Sequence, residues 1–320
     1  MAGDDKDGRS AGVGSSVISA NAVNGIVKSK NASAENVIRV LRETASVQNG
    51  TSAILRSDAV NFAVRSASDG PPTPSLAREV TLFVHAIAER ISEETTIAAL
   101  LGLTGASLFS NIASSGIERF DSSTIEACYG ILSRAIGDDA AVIARPTGDA
   151  ASNFRERVLE SKLLDALFES QTTARSAVAS DLLSRLLLCD GAVDSVSSSH
   201  VINATRSLLD LIDLDAAKKD EKRLVRVLMS LKTAFARLRT SARDNHSDDD
   251  NLAAAVLDES TISNLMGCLD LVPGSSRSVL LDILCTSSSV TLGSAMSTKN
   301  VRSVAKIIFD DDDDGKFVLD

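Results

Sequence analysis

Three segments of the chain repeat one pattern, a polar helix start followed by an apolar seam, at nearly constant intervals. They are DSSTIEACYGIL, LESKLLDALF and SSSHVINATRSLLDLI, whose aligned residues Ile125, Leu163 and Ile202 lie 38 and 39 residues apart. A related start, DESTISNLMGCLDL, recurs later, at Ile262. Helical repeats of about 40 residues cannot bury their apolar faces alone and stack in a row. The interval therefore predicts an open stack of helical hairpins, with a more compact helical domain as the alternative.

Composition favours helices over sheets. The 320-residue chain is 44% hydrophobic but only 3% aromatic, and it has no Trp. Strands prefer β-branched and aromatic residues, whereas a core of Leu, Ile, Val and Ala suits close helix packing. No region shows sustained alternation of apolar and polar residues, which would indicate a strand.

Helical periodicity, capping residues and breaks divide the chain. Ser33 is a predicted cap, and the GPPTP break at 70–74 is followed by Ser75 as the predicted cap of the next helix. The GLTGAS segment at 102–107 is interpreted as a tight turn between two helices. Later helices are predicted at 94–101, 104–115, 122–136, 151–169, 172–189, 198–213, 219–243, 251–258, 260–271, 275–287 and 298–309.

Three regions follow from these patterns. Residues 1–20 form a polar, disordered head, residues 21–309 form the helical repeat domain, and residues 310–320 form an acidic tail. Within the tail, Phe317, Val318 and Leu319 restart an apolar pattern. We therefore expect that the sequence is cut before a further helix.

No motif indicates catalysis, a metal site or a cofactor. The histidines lie far apart at 85, 200 and 246, and no phosphate-binding glycine motif has the required spacing. The four cysteines are widely spaced in apolar helical patterns, so we expect buried thiols in a reducing, cytoplasmic compartment. The net charge of −10 argues against nucleic acid. No run approaches the length of a membrane span, so no membrane partner is expected.

Two stretches resemble armadillo repeats: ESKLLDALFES followed by TARSAVASDLLSRLLL, and DESTISNLMGCLDLVPGSSRSVLLDILCTSS. The alternation of LLDLI-like and LVRVLMSLKTAF-like helices is similar to the central region of UCS-type myosin chaperones. The resemblance implies an all-α, right-handed superhelical solenoid of irregular armadillo-like repeats. It also implies a non-enzymatic scaffold or co-chaperone, whose partner would be a protein such as myosin heavy chain or a chaperone.

Some features depart from these families. The chain shows no tetratricopeptide repeats, and it is too short for a complete client-binding module of the chaperones. A karyopherin-like cargo adaptor is an alternative, although its groove would need Trp-Asn pairs and this chain has no Trp. A structural subunit of a larger assembly is a second alternative, and a helical enzyme is the most remote.

The segment KDEKRLVRVLMSLKTAFARLR at 219–239 is the candidate binding element. Leucines and Phe235 follow one helical stripe, and basic residues lie on the opposite side. This basic strip consists of Lys219, Lys222, Arg223, Arg226 and Arg237. It is either a solvated face, a site for an acidic partner segment, or a surface shielded by the aspartates at 310–314 or 248–250. Asn111, Asn203 and Asn264 are further candidates for holding a peptide backbone.

Overall fold

The computed structural model describes residues 18–29, 31–47, 49–144, 148–170, 177–189, 204–205, 207–209, 211–212, 221–245, 259–269, 272 and 274–284. In these residues all regular secondary structure is helical. The helices are α1 Ala20–Val27, α2 Ala34–Ser46, α3 Gly50–Leu55, α4 Ala59–Ser68, α5 Pro74–Ala88, α6 Glu94–Ser114, α7 Ser122–Ile136, α8 Ala140–Ile143, α9 Ala150–Leu159, α10 Leu163–Ser170, α11 Ala177–Leu186, α12 Glu221–Asn245, α13 Glu259–Gly267 and α14 Gly274–Leu284.

Side-chain caps fix where several helices begin. The hydroxyl of Ser33 accepts a hydrogen bond from the Asn36 amide, so that predicted cap is confirmed. The predicted cap at Ser75 is wrong by two residues. Thr73 caps α5 instead, because Pro74 occupies the first helical position, where its missing N–H costs nothing. The Ser75 hydroxyl donates to the Glu35 carboxylate of α2 at 2.7 Å.

The helices stack in two rows. In the first row α2 packs on α5, α5 on α7, α7 on α11, α11 on α12, and α12 on α14. In the second row α4 packs on α6, and α6 on α9 and α10. Each helix of the first row thus rests on its neighbours in the row, which is the arrangement of a solenoid. The predicted all-α solenoid of irregular armadillo-like repeats is confirmed in the described residues.

Helix α6 of the second row also packs on α7 of the first row, and it contains a break. Gly102 has φ 58° and ψ −169°, a conformation open almost only to glycine, so the helix changes direction there. The predicted turn between two helices is therefore correct. By length and composition alone α6 could cross a membrane, since an 18-residue window has a mean hydropathy of 1.5. More than half of that window, 56%, is buried inside the protein, so the apolar residues of α6 contribute to the hydrophobic core.

One continuous core runs along the stack. Four phenylalanines, Phe83, Phe109, Phe154 and Phe168, are fully buried among Leu, Ile, Val and Ala side chains. The cysteines at 128, 189 and 268 are buried free thiols, as predicted, and Cys285 lies outside the described residues. Burial raises the pKa of Cys128 and of Cys189 to about 12. These thiols pack as small apolar groups.

Arginines join successive helices of the first row. Arg134 of α7 donates to the Ala88 carbonyl at the end of α5, at 3.3 Å. Arg185 of α11 donates to the Ser133 carbonyl of α7, at 3.0 Å, and Arg90 donates to the Ala45 carbonyl of α2. The last carbonyls of a helix have no partner within the helix, and a positive charge there is favourable. At each of these three junctions one arginine satisfies a carbonyl near the end of the preceding helix.

The predicted domain boundaries remain predictions. Residues 1–17 and 285–320 lie outside the described residues, and so does the predicted helix at 298–309.

Candidate functional site

The structure places the members of the basic strip in different environments. Lys222 is exposed on α12, and Arg223 is half-buried with its Nε 3.7 Å from Asp181. The Arg226 side chain is only 3% exposed. Lys219 and the side chain of Arg237 lie outside the described residues.

The expectation that Arg226 lies on an exposed strip is therefore wrong. Because α12 is an interior member of the first row, it has a neighbour on either side, and two of its faces are buried. Buried leucines such as Leu224 and Leu228 form one face, while Arg226 and Ser230 contact α11. A helical wheel shows which residues share a face but not how many faces are covered.

Arg226 belongs to a buried ion-pair cluster, the Asp181 network, which consists of Asp138, Asp181, Arg185 and Arg226. Arg226 Nη1 lies 2.7 Å from Asp138 Oδ1, and its Nη2 lies 2.5 Å from Asp181 Oδ1. Arg185 Nη2 lies 2.6 Å from Asp138 Oδ1 and 2.9 Å from Asp181 Oδ2. The network joins the chain after α7 to α11 and α12, three successive parts of the first row.

Electrostatics keeps the Asp181 carboxylate ionised. Its burial alone would raise its pKa, but the charges of Arg185 and Arg226 outweigh this effect and lower the pKa. Burial and the neighbouring Arg185 lower the pKa of Arg226, opposed by the two aspartates. Two carboxylates thus face two buried guanidinium groups, Asp181 from inside the protein and Asp138, which is 67% exposed, from its surface. The network is a structural element.

A second surface feature is a groove beside α6, here called the α4–α6 groove. It is lined by the end of α4 and the following turn (67–72), by α6 from Leu103 to Ser115, by Arg119 and Phe120, and by Arg157 of α9. Its volume is about 790 Å³. Pro71 and Pro72 of the GPPTP break form part of one wall.

The groove combines apolar and polar groups. Leu103 is 54% exposed at its edge, while Leu108, Ile112 and Phe120 are buried beneath it. The ionisable side chains among the lining residues are Arg119 and Arg157. Arg157 Nε donates to Ser107 Oγ at 2.7 Å, and its Nη1 lies 2.8 Å from Glu160. The Arg119 guanidinium lies 5.3 Å from the centroid of the Phe120 ring. The α4–α6 groove is therefore positively charged and partly apolar.

The asparagine candidates do not form one ladder in the described residues. Asn111 is exposed on α6 and lines the groove, Asn264 is exposed on α13, and Asn203 lies outside the described part. In the same part of the chain no cluster of three or more His, Cys, Asp or Glu side chains is placed to hold a metal ion.

Sequence reasoning missed both features, although signals were present. Asp181 and Arg185 are four residues apart on a helix, the spacing at which opposite charges pair. No comparable signal marks Asp138, which reaches the network from a loop 43 residues before Asp181. Leu103 and Asn111 are eight residues apart on one helix face, yet only the packing of α4 and α9 makes that face a groove.

Three comparisons with known proteins were made. No model of a protein family and no curated protein matches the chain. Among solved structures, one engineered protein aligns with a TM-score of 0.42 and 17% identity, over 88% of this chain and 96% of its own. A second engineered protein gives 0.42 and 12%, over 89% and 81%. A designed armadillo repeat protein in complex with the peptide (KR)4 gives 0.41 and 11%, over 83% and 98%. The assignment to an armadillo-like α-solenoid rests on the two rows of helices described above.

Proposed function

We propose that this chain is a protein-interaction scaffold that seats an extended segment of a partner protein in the α4–α6 groove. The observation that carries the proposal is the groove itself, about 790 Å³ in volume, with an apolar floor, polar edges and two arginines. This volume falls in the range of binding clefts, roughly 300 to 1,000 Å³.

The chemistry of the groove suits binding. Its ionisable lining groups are two guanidinium groups, which bind anions through several N–H donors and offer no acceptor for a proton. The exposed amide of Asn111 offers both a donor and an acceptor to an extended backbone. Covering the exposed half of the Leu103 side chain would contribute about 1 kcal/mol. We therefore favour a scaffold over an enzyme.

Narrower hypotheses rest on the sequence resemblance. A UCS-type myosin chaperone, with myosin heavy chain or another chaperone as its partner, is the preferred one. A karyopherin-like adaptor and a structural subunit of a larger assembly are the alternatives. The free thiols of Cys128, Cys189 and Cys268 support the proposed cytoplasmic location. Lys222, exposed at the start of α12, remains a candidate contact for an acidic partner.

Affinity capture from native lysate with quantitative mass spectrometry tests the proposal. The groove variant is Leu103→Lys/Asn111→Ala, and the matched control is Val142→Lys/Asn21→Ala, whose positions are exposed elsewhere. Circular dichroism verifies that both variants fold.

We expect the groove variant to lose partners that the wild type and the control retain. Identical partner sets in the two variants would refute binding in the groove. Myosin heavy chain among the lost partners would favour the chaperone hypothesis, and its absence from all captures would reject it.

A further inference from the structure

We propose that the α4–α6 groove is occupied in the free protein by this chain's own acidic segment, Asp310–Leu319, which lies outside the described residues. The inference rests on the proposed binding role of the groove and identifies its resident ligand. The segment reads DDDDDGKFVL, five aspartates followed by a short apolar run. The groove has complementary groups, two arginines and an apolar floor.

Charge favours this pairing. In the described part of the chain no carboxylate lies within ion-pairing distance of Arg119, whose guanidinium instead rests over the Phe120 ring. The Arg157 side chain is 48% exposed, and among the described residues its ion-pair partner is Glu160 alone. The whole chain carries a net charge of −10, so most of its surface repels a run of aspartates. A groove whose ionisable lining is basic is a favourable place for that run.

The length and polarity of the segment also match those of the groove. The lining part of α6, from Leu103 to Ser115, is about 18 Å long at 1.5 Å per residue. An extended chain rises about 3.3 Å per residue, so the groove holds five or six residues. Asp314 to Leu319 has that length. It would place Phe317 and Leu319 near the exposed Leu103, while the remaining aspartates stay near the arginines.

The connection is long enough. Residues 285–309 separate the end of α14 from the segment, 25 residues in all. With the predicted helix at 298–309 formed, this connection still spans about 60 Å, from about 1.5 Å per helical residue and 3.3 Å per extended residue. Helix α6 lies three repeats before α14, a distance of about 30 Å at 8–10 Å between packed helices. The segment can therefore reach the groove of its own molecule.

Such an arrangement regulates the scaffold. A tethered segment competes at an effective concentration of about 1 mM, so a partner must displace it. A partner segment with the same chemistry, acidic and then apolar, would compete best.

Photo-crosslinking tests the occupant directly. The full chain is produced with p-benzoylphenylalanine in place of Phe317, irradiated at low concentration, and mapped by mass spectrometry. Crosslinks within one molecule to α6 or to the turn at 67–72 are the expected result. Crosslinks to α12, or crosslinks solely between two molecules, would overturn the proposal, and so would their complete absence.

A binding titration supplies the second measurement. The probe is a fluorescein-labelled synthetic peptide of residues 310–320, followed by fluorescence anisotropy. The hosts are the wild-type chain and a full-length variant with all five aspartates at 310–314 changed to Asn. For a peptide Kd of roughly 100 µM, the Asn variant should bind about tenfold more tightly, because its own tail no longer competes.

Charge variants in the Asn-tail background locate the site. Arg119→Glu should weaken peptide binding about fivefold, whereas Arg56→Glu, exposed at the end of α3 and not among the lining residues, should leave it unchanged. A loss with Lys222→Glu instead would place the peptide on the basic strip and overturn the proposal. If the tail binds elsewhere while the groove variant still loses partners in the capture experiment, the scaffold function stands and only the resident ligand is wrong.

Discussion

Replacing Asp181 by Asn tests whether the Asp181 network holds successive repeats together. The substitution keeps the shape of the side chain and removes one of the two carboxylates that face Arg185 and Arg226. Both arginine side chains are less than a tenth exposed, at 8% and 3%. The variant therefore leaves two buried guanidinium groups with a single carboxylate, Asp138.

The magnitude follows from burial. Removing one partner of a buried ion pair costs about 3 to 5 kcal/mol, because the remaining charge stays desolvated. The Asp181 side chain is 18% exposed and Asp138 still compensates in part, so we expect the lower end, about 3 kcal/mol. Asp138 is 67% exposed, and Asp138→Asn should cost no more than about 1 kcal/mol.

Hydrogen exchange with mass spectrometry is the appropriate assay, since repeats of a solenoid can open separately and a single melting temperature averages over them. A loss of about 3 kcal/mol makes the amides of α11 and α12 exchange about 100-fold faster, at 1.4 kcal/mol per factor of ten. Amides of α2 should change little. Glu126→Gln, at an exposed position of α7, is the matched control.

The effect must also depend on pH with a defined sign. The pKa of Asp181 is lower in the folded protein than its unfolded value of about 3.9. Its stabilising contribution is therefore complete above about pH 4 and is lost as the pH falls through the folded value. The difference between wild type and Asp181→Asn should be constant from pH 7 to pH 5 and shrink in stronger acid. Equal exchange in the two proteins at pH 7, or an equal effect of Asp138→Asn, would refute the reasoning.

Three further predictions concern other positions. Gly102→Ala should cost about 1 to 3 kcal/mol in urea unfolding because alanine is strained at φ 58°, whereas Gly25→Ala, where an added Cβ meets no atom within 4 Å, should not destabilise. An NMR titration should give His85 a pKa below 6.5, since burial outweighs the raising effect of Glu89, and Glu89→Gln should lower it further. Cys128, whose pKa burial raises to about 12, should resist iodoacetamide at pH 8 until the protein unfolds, and rapid labelling of the native protein would contradict its burial.

Local features of the fold could be predicted because they depend on near neighbours in sequence. Ser33 and the turn at Gly102 follow from capping and backbone rules that act over a few residues. The cap of α5 was misplaced at Ser75 because two hydroxyls flank Pro74 and either could serve. The apolar face of each helix predicted the stacking, because such a face must be covered by a neighbouring helix. The alignment of the repeats did not match the rows, since Ile125 lies on α7 of the first row, whereas Leu163 begins α10, which packs on α6 in the second row.

By itself the sequence determined an all-helical stack, its breaks and the apolar face of each helix. These features depend on helical periodicity and turn chemistry, which involve residues close together in the sequence. The tertiary structure alone decided which polar helix faces remain exposed to solvent. Arg226 belongs to a basic face by periodicity, yet α11 covers it and Asp138 reaches it from 88 residues away. Likewise the α4–α6 groove exists because α4, α6 and α9 meet around a helix that bends at Gly102. Contacts between residues that are distant in sequence determine which side chains are buried. Burial in turn determines the desolvation free energy of each charged group.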